Sequence, residues 1–264
     1  ARWFYPHFHP SYIGRTRRYE PRGDGVGSEL ERSFVLNLER AFTEVKAGLP
    51  EPKVYSAADM DFDVVWSQDV DQIVQYLKDA ARTDCGTRGF DLETNMLRPY
   101  AKDAKILTVA MSDDTLGTFA FPLDHPGTKW TKAQRERVEA AFIDYLMDDV
   151  NLKAVHNLAF EMEWIGVKYS PRLLRRTRWE CTMVQAYVLN ELRGDKKSAN
   201  GPQSLDFLCR QYLGINIKSL TKLDKKNLAD APINDVLCYN GIDAKGHRLI
   251  HGAQAERLKV EGLE

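Results

Sequence analysis

The spacing of hydrophobic residues changes several times along the second part of this chain. Apolar residues at helical spacing predict amphipathic helices over Asp69 to Ala81 and Thr131 to Met147. Short apolar runs lie between these two helices and predict strands. The predicted strands are the run around Asp91 and Glu93, then Ile106 to Met111, then Leu116 to Phe121. The links between these strands are short, which favours antiparallel hairpins.

The flanking segments extend this sheet and add helices. Phe62 to Trp66 predicts a short strand before the first helix, and a strand that ends at Val155 follows the second helix. A strand that follows a helix is typically added in parallel orientation. The chain as far as Glu264 is then mostly helical, with breaks near Gly194 to Gly201 and Gly214 to Pro232. The pattern therefore predicts an α/β domain with a mixed sheet flanked by helices.

Residues 1–52 form a different kind of segment. As far as Gly27 they show neither helical nor strand spacing and are rich in aromatic residues and arginines. Such an arm could stack on a nucleic acid strand and contact its phosphates, or pack its aromatic side chains on the neighbouring domain, which we favour. Ser28 to Ala47 has a capping-box start and a helical apolar stripe, with Gly48 as the stop. We therefore divide the chain into an N-terminal arm and helix, 1–52, and a domain at 53–264.

Composition narrows the class of protein without deciding its function. With 264 residues, of which 43% are hydrophobic, the chain can form one large domain with an extension. The net charge of −1 means that attraction for a polyanion must come from local patches or bound metal ions. Four widely spaced cysteines argue against a structural zinc site or a disulfide framework. We expect reduced thiols, a cytoplasmic location, and neither a signal peptide nor a membrane span.

Asp91 and Glu93 are the most informative residues of the chain. Residues two apart share one face of a strand, so both carboxylates point the same way, while Phe90 and Leu92 face the other way. Two like charges this close are costly unless a cation lies between them. Mg²⁺ or Mn²⁺ is the natural partner of such oxygen ligands. Taken alone, the pattern also fits an ordinary strand with two solvated acids.

Two later segments carry polar residues at helical spacing. Asn157 is predicted to cap a helix with its side-chain oxygen, and Glu161 lies on the same face of that helix. Tyr239 and Asp243 stand side by side in the same way within a helix predicted over Ile233 to Leu258. Each segment alone also fits solvated helix acids or a core tyrosine. The order of all these residues along the chain is the stronger signal.

That order resembles the 3′–5′ exonuclease domain of family A DNA polymerases, the polymerase I type often carried by phages. Within the DEDD exonucleases, the pattern is similar to the tyrosine subgroup. Its motifs are Asp-x-Glu-Thr, Asn-x-x-x-Asp and Tyr-x-x-x-Asp. The matching residues are Asp91, Glu93 and Thr94, then Asn157 with Glu161 in place of the aspartate, then Tyr239 and Asp243. The resemblance covers roughly Asp61 to Glu264 and implies the ribonuclease H-like fold.

The resemblance implies a proofreading enzyme that hydrolyses the terminal phosphodiester of DNA and releases nucleoside monophosphates. Such hydrolysis uses two divalent ions, Mg²⁺ or Mn²⁺, about 3.5–4 Å apart. Asp91 is expected to bridge them from its rigid strand. Glu93 and Asp243 are expected to complete one metal site, and Glu161 to hold the second ion directly or through water. Tyr239 is expected to orient the attacking water.

Glu161 is the main departure from the family pattern. Glutamate keeps the charge and the oxygen ligands but reaches one methylene further than aspartate. The metal geometry could be retained with a small shift, or binding of the second ion could be weakened. Glu163 is a conceivable substitute, but the positions of Asn157 and Phe160 favour Glu161.

The resemblance also suggests residues that contact the substrate. Leu97 matches a leucine that wedges between the last two bases, and Phe160 an aromatic residue beside the scissile phosphate. Thr94 and Asn157 match positions that hold the 3′-terminal nucleotide. Arg193 or a neighbouring residue could meet the phosphate backbone. For Leu97 and Phe160, ordinary core packing is an equally good interpretation.

The expected partner is the 3′ end of single-stranded DNA, and we expect no association with a membrane. The sequence after the third motif contains no polymerase motifs, so we do not expect this chain to synthesise DNA. It is either a proofreading domain whose polymerase domain lies in the same parent chain, or an exonuclease alone. A phage-encoded protein would work in the host cytoplasm. Two alternatives stay open: an RNase D-like exoribonuclease, and a weakened domain that only binds strand ends.

Overall fold

The computed structural model describes residues 62–175, 177–189, 203–221, 223 and 227–263. Before them it describes residues 35, 38–39, 41–43 and 45–48. The chain divides into two units, Ala1–Tyr55 and Ser56–Glu264, and each is described by itself.

The first unit contains the end of the predicted N-terminal helix. Its described residues between 35 and 46 are helical. Gly48 follows in the left-handed region with φ of +83°, and its amide donates to the Val45 carbonyl. A left-handed glycine is a common way to end a helix, so the predicted stop at Gly48 is confirmed. The predicted start at Ser28 and the arm before it lie outside the described residues.

The second unit is built on a mixed sheet. Its described strands are β1 (Val65–Trp66), β2 (Thr87–Thr94), β3 (Ile106–Asp113), β4 (Gly117–Pro122), β5 (Leu152–Val155) and β6 (Arg178–Cys181). Their order across the sheet is β1-β4-β3-β2-β5-β6. β3 pairs antiparallel with both β2 and β4, whereas the pairs β1–β4, β2–β5 and β5–β6 are parallel. The predicted hairpins and the predicted parallel addition after the second helix are therefore confirmed.

Helices cover the sheet. They are α1 (Val70–Arg82), α2 (Lys132–Leu146), α3 (Leu158–Lys168), α4 (Thr182–Leu189), α5 (Leu205–Leu208) and α6 (Ile233–Glu261). Leu173–Arg175 and Ile217–Ser219 form short 3₁₀ turns, and Cys209–Leu213 forms a π-helical turn. The Asp69 side chain accepts a hydrogen bond from the Gln72 amide at the start of α1. Thr131 and Gln134 form a capping box at the start of α2. These caps explain why both helices begin where the sequence predicts.

Alternation along the strands sends different residues to the two faces of the sheet. Phe90, Leu92 and Met111 belong to the main hydrophobic core, which they share with α1, α2 and α3. On the opposite face, the small residues Ala110 and Ala120 lie under α6. Small residues on that face let α6 approach the sheet closely.

The closest approach is at Gly89 of β2. A Cβ atom at this position would overlap the Ala244 carbonyl oxygen of α6, so only glycine fits. Asp91 and Glu93 lie on the same face of β2 as Gly89. The contact therefore places both acids directly beside α6, which carries Asp243.

Two local expectations were wrong in detail. The strand predicted over Phe62 to Trp66 is confined to β1, because Phe62 turns into a second, smaller hydrophobic cluster. β6 was missed, because only one of its four residues, Cys181, is buried and the alternation is too short to recognise. β6 is recognised as a strand only through its parallel pairing with β5.

Candidate active site

Three carboxylates converge beside the sheet. Asp91 and Glu93 come from β2, and Asp243 comes from α6. One oxygen atom from each of the three lies within 4.8 Å of the others. Asp91 and Asp243 are buried and Glu93 is half-buried. Hard divalent cations bind such carboxylate oxygens, so the donor set suits a metal ion. The predicted convergence of these distant residues is confirmed.

Glu161, in the first turn of α3, lines the same cleft as the three acids. Its side chain is buried, and its Oε2 atom has no hydrogen-bond partner among the described residues. Burial, and to a lesser extent the charge of Glu93, raises the pKa of Glu161 well above its ordinary value. A buried carboxylate oxygen without a partner fits a position that a cation completes. Glu163 instead pairs with the exposed Arg98 at 3.1 Å, so the structure supports Glu161 over Glu163.

Tyr239 lies one turn before Asp243 on α6. Burial is the main reason why the pKa of Tyr239 is raised well above its ordinary value, and the charges of Asp243 and Glu93 raise it further. A hydrogen bond to Asp243 also favours the protonated phenol. The hydroxyl therefore stays neutral at every physiological pH and acts as a donor to Asp243.

Asn157 does not cap α3 as predicted. It adopts the left-handed conformation, with φ of 72° and ψ of 57°, and its side chain makes no cap hydrogen bond. The Phe160 amide instead donates to the Asn157 backbone carbonyl at 2.8 Å. Asn157 is exposed and lines the cleft that contains the acids.

The cleft has a volume of about 310 Å³. It brings together seven of the ten residues predicted for the site: Asp91, Glu93, Asn157, Phe160, Glu161, Tyr239 and Asp243. Phe160 is half-buried between the cleft and Trp164, with ring centroids 6.1 Å apart. It packs against the core and also lines the cleft, so core packing is part of its role, and its place beside the scissile phosphate stays a prediction.

The three remaining predicted residues have different outcomes. Leu97 is 80% exposed, so the interpretation as a core residue is wrong, and its role as a wedge stays a prediction. The Thr94 hydroxyl donates to the Met96 carbonyl at 2.7 Å and shapes the turn after β2. Its contact with a nucleotide also stays a prediction. Arg193 lies outside the described residues.

Several residues around the acids were missed from the sequence. Asn240 is fully buried and donates from Nδ2 to Asp91 Oδ2 at 2.8 Å. The Nε2 atom of His247 lies 3.8 Å from Asp91 Oδ1, and its Nδ1 lies 2.9 Å from the Phe90 carbonyl oxygen. His247 follows Asp243 by one further helical turn, so the i, i+4 spacing could have found it. Asn240 sits inside the third motif, but its direction depends on how α6 lies on the sheet.

Two histidines near the site, His156 and His247, are neutral because burial lowers their pKa values. Burial lowers the pKa of His156 to about 4. Burial, together with the nearby His156, lowers that of His247 to about 3. Both side chains line the cleft. His125 lies away from it: its Nδ1 accepts from the Gly127 amide and its Nε2 donates to the Leu228 carbonyl.

One wall of the cleft comes from the segment between α4 and α6. Asp206 of α5 and Lys218 of a 3₁₀ turn line it, together with Ile217. This wall was not predictable from the sequence, because its residues meet through the tertiary fold. Among the described helices, none is long and apolar enough to cross a bilayer.

Comparisons with known proteins agree with this geometry. No curated protein sequence matches the chain significantly. The Nibbler EXO domain of Aedes aegypti is similar in structure, with a TM-score of 0.54 and 14% identity over 76% of this chain and 91% of that one. RNase D of Trypanosoma brucei, in complex with RNA U12, has a TM-score of 0.53 and 12% identity over 78% and 72%. The POL domain of Pol1 from M. smegmatis, in complex with DNA primer-template and dNTP, has a TM-score of 0.51 and 14% identity; this chain spans 28% of its length.

These likenesses show the fold alone. They include proteins bound to RNA and to DNA, so they do not separate the two substrates. A family model described as 3′–5′ exonuclease, of the DNA polymerase A type, matches residues 64–252, more than half of the chain. The match and the mixed sheet confirm the predicted ribonuclease H-like fold. This chain therefore belongs to the 3′–5′ exonuclease family.

Proposed function

We propose that this chain is a metal-dependent 3′–5′ exodeoxyribonuclease that releases nucleoside monophosphates and serves a DNA polymerase as its proofreading module. The observation that carries the proposal is the convergence of Asp91, Glu93 and Asp243 within 4.8 Å. The Tyr-x-x-x-Asp arrangement of Tyr239 and Asp243 on α6 adds support. Because bound metal ions would lower the pKa of the attacking water, the reaction needs no strong general base.

Members of this family depend on divalent metal ions. In our proposal Asp91, Glu93 and Asp243 hold one Mg²⁺ or Mn²⁺ ion, and Asp91 and Glu161 hold a second. Bound at these oxygens, the ions would supply an activated water and relieve the charge on the leaving oxygen. The buried Oε2 of Glu161, which has no partner among the described atoms, supports its part in the second site.

The chain's own residues orient the reacting groups. The Tyr239 hydroxyl donates to Asp243, so its oxygen can accept a hydrogen bond from the attacking water and hold it in line. Asn240 fixes one oxygen of Asp91 through its Nδ2. A carboxylate held in this way needs little reorganisation when the substrate arrives.

The substrate contacts that we propose are those that the family resemblance suggests. Phe160 and Asn157, which line the cleft, would flank the scissile phosphate and the terminal nucleotide. Thr94 would contact the same nucleotide, and the exposed Leu97 would wedge between the last two bases. Arg193 is proposed to meet the phosphate backbone. The partner is the 3′ end of single-stranded DNA.

The wider setting is also a proposal. We assign residues 53–264 as the exonuclease domain and 1–52 as an N-terminal arm and helix. A polymerase domain of the same parent chain would be its partner, and the host cytoplasm its location if the gene belongs to a phage.

A direct test follows the loss of 3′ nucleotides from matched DNA and RNA oligonucleotides that carry a label at the 5′ end. The expected result is a ladder of shortened DNA in Mg²⁺ or Mn²⁺ and none in EDTA. Faster degradation of RNA would replace the proposal with the RNase D-like alternative. Shortening from the labelled 5′ end would contradict the assigned direction.

A second candidate is a domain that binds strand ends but cuts them poorly. The observation that favours it is Glu161 itself, a longer acid than the family's aspartate, deeply buried beside Glu93. We expect the wild type to cut and Glu161→Ala to lower kcat by roughly a hundredfold or more, since several kcal/mol of charge stabilisation are lost. If instead the wild type binds without cutting and Glu161→Asp gains activity, the second candidate is correct.

A further inference from the structure

The wall formed by Asp206, Ile217 and Lys218 adds a positive charge to a cleft rich in acids. Lys218 lines the same cleft as Asp91, Glu93, Glu161, Asp206 and Asp243. Among the cleft-lining residues in the described part of the chain, Lys218 is the only lysine or arginine. A polyanionic substrate must enter this space, so a cation fixed on the wall has an evident use.

The backbone of Lys218 is held in place by its neighbours. Ile217 is buried in the second hydrophobic cluster, which also contains Ile215 and Leu208. The 3₁₀ turn Ile217–Ser219 is closed by a bond from the Ser219 hydroxyl to the Asn216 carbonyl at 2.7 Å. This anchoring means that Lys218 starts from a defined position on the wall.

The ammonium group is held as well. Lys218 Nζ lies 3.5 Å from Asp206 Oδ2, and the same oxygen lies 3.1 Å from Arg210 Nη2. Arg210 also donates to the Asn216 side chain at 2.9 Å. Asp206 is thus bound by two cations, of which Lys218 lines the cleft and Arg210 does not. The Lys218 side chain remains 41% exposed, so it can meet a ligand while staying close to Asp206.

We propose that Lys218 contacts a backbone phosphate of the bound single-stranded DNA near its 3′ end, and that Asp206 positions the ammonium group for this contact. The proposal rests on the proposed function and adds to it a specific phosphate-binding residue. Lys218 contributes to binding rather than to the chemical step, because a backbone phosphate is contacted equally before and during the reaction.

The test uses binding of a single-stranded DNA oligonucleotide whose 3′ linkages are phosphorothioates that resist cleavage, in Mg²⁺ and at a series of NaCl concentrations. Lys218→Gln is expected to weaken binding roughly tenfold, the loss of one charged hydrogen bond. The slope of log K against log salt is expected to flatten by about 0.7, the value for one phosphate of a single strand. On a cleavable oligonucleotide KM is expected to rise while kcat is unchanged.

Arg210→Gln is the matched control. Arg210 binds the same Asp206 oxygen and an additional residue of the turn, so a purely structural role predicts that its loss does at least as much harm. We expect Arg210→Gln to keep the wild-type salt slope and Lys218→Arg to restore it. Thermal unfolding of each variant reports any loss of fold.

Three outcomes would overturn the proposal. Lys218→Gln could bind like the wild type, both variants could weaken binding equally with an unchanged slope, or Lys218→Gln could lower kcat alone. In each of these cases a wild type that still degrades DNA leaves the proposed function intact. A wild type that neither binds nor degrades DNA removes both.

Discussion

β2 carries charged residues on both of its faces, but their surroundings differ: opposite charges are paired on one face, and like charges are clustered on the other. Arg88 points to the core side together with Phe90, whereas Asp91 and Glu93 point toward α6. On the core side the described charges are paired with opposite charges. On the α6 side, Asp91 and Glu93 lie close to a third acid, Asp243. The same strand therefore shows how charges that support the fold differ from charges kept for a ligand.

The core side contains two buried ion pairs. Arg88 donates from Nε to Asp113 Oδ2 at 2.7 Å, and both side chains are fully buried. Lys153 of β5 donates to the Asp148 carbonyl at 3.1 Å, lies 3.8 Å from its carboxylate, and stacks over the Tyr145 ring at 4.8 Å. Burial nevertheless lowers the pKa of Lys153 to about 8. Each charge here is costly to bury and tolerated because its partner is present.

The α6 side gathers acids instead. Asn240 donates one hydrogen bond to Asp91, and one oxygen atom from each of Asp91, Glu93 and Asp243 lies within 4.8 Å of the others. Like charges this close repel one another, and a cation bound between them would relieve that cost. The difference teaches that the paired charges of the core side stabilise the fold, whereas the clustered acids of the α6 side are arranged as a metal-dependent enzyme requires.

The sharpest way to break this comparison is Asp91→Ala. Activity is expected to fall on the order of a thousandfold or more, because several kcal/mol of charge stabilisation in the transition state are lost. Without added metal, the loss of a like charge favours folding while the buried Asn240 loses its acceptor, so the free energy of unfolding is expected to change by less than about 2 kcal/mol. Exonuclease assays and thermal unfolding in EDTA measure the two effects. A variant with full activity would show that the assigned centre is wrong.

The opposite behaviour is expected at Arg88. Arg88→Met leaves Asp113 buried without its partner, so the free energy of unfolding is expected to fall by about 3–5 kcal/mol. Urea titration measures this loss. Arg98→Met is the control, because the Arg98–Glu163 pair is exposed and is worth at most about 1 kcal/mol. Equal effects of the two substitutions would show that burial does not distinguish these pairs.

The smallest expected effect concerns pH and Lys153. The folded protein releases the Lys153 proton near pH 8, whereas the unfolded chain keeps it to about 10.5. The unfolded state therefore binds more protons within this window, and wild-type stability gains from Lys153 as the pH rises through it. Relative to Lys153→Met, the gain is expected to be on the order of 1–3 kcal/mol. Urea titrations of both proteins at several pH values measure it, and a constant difference would contradict the shifted pKa.

Local patterns predicted the centre of the site well. Asp91 and Glu93 share a strand face, and Tyr239 and Asp243 share a helix face, because periodicity alone fixes these relations. The order of the motifs then indicated that the two elements meet. The sheet was predictable for a similar reason, since its hairpins and its parallel strand follow from the spacing of elements along the chain.

Relations that depend on tertiary contacts were not predictable. Asn157, between β5 and α3, adopts a left-handed conformation, whereas standard capping preferences predict an extended one. Asn240 reaches Asp91 across 149 residues of sequence, and Lys218 meets Asp206 through a turn without clear periodicity. No local signal carries such pairings.

The contact between Gly89 and the Ala244 carbonyl has a consequence for the site's robustness. The main chains of β2 and α6 approach each other directly at this point, with only the Cβ atom of Arg248 beside them, so no long side chain separates the two elements. The reach from Asp91 to Asp243 is therefore expected to change little with temperature or with repacking elsewhere. Glu93 and Glu161 each reach the site through three side-chain torsions, so these two acids, rather than the backbone contact, can adapt to ions of different radius.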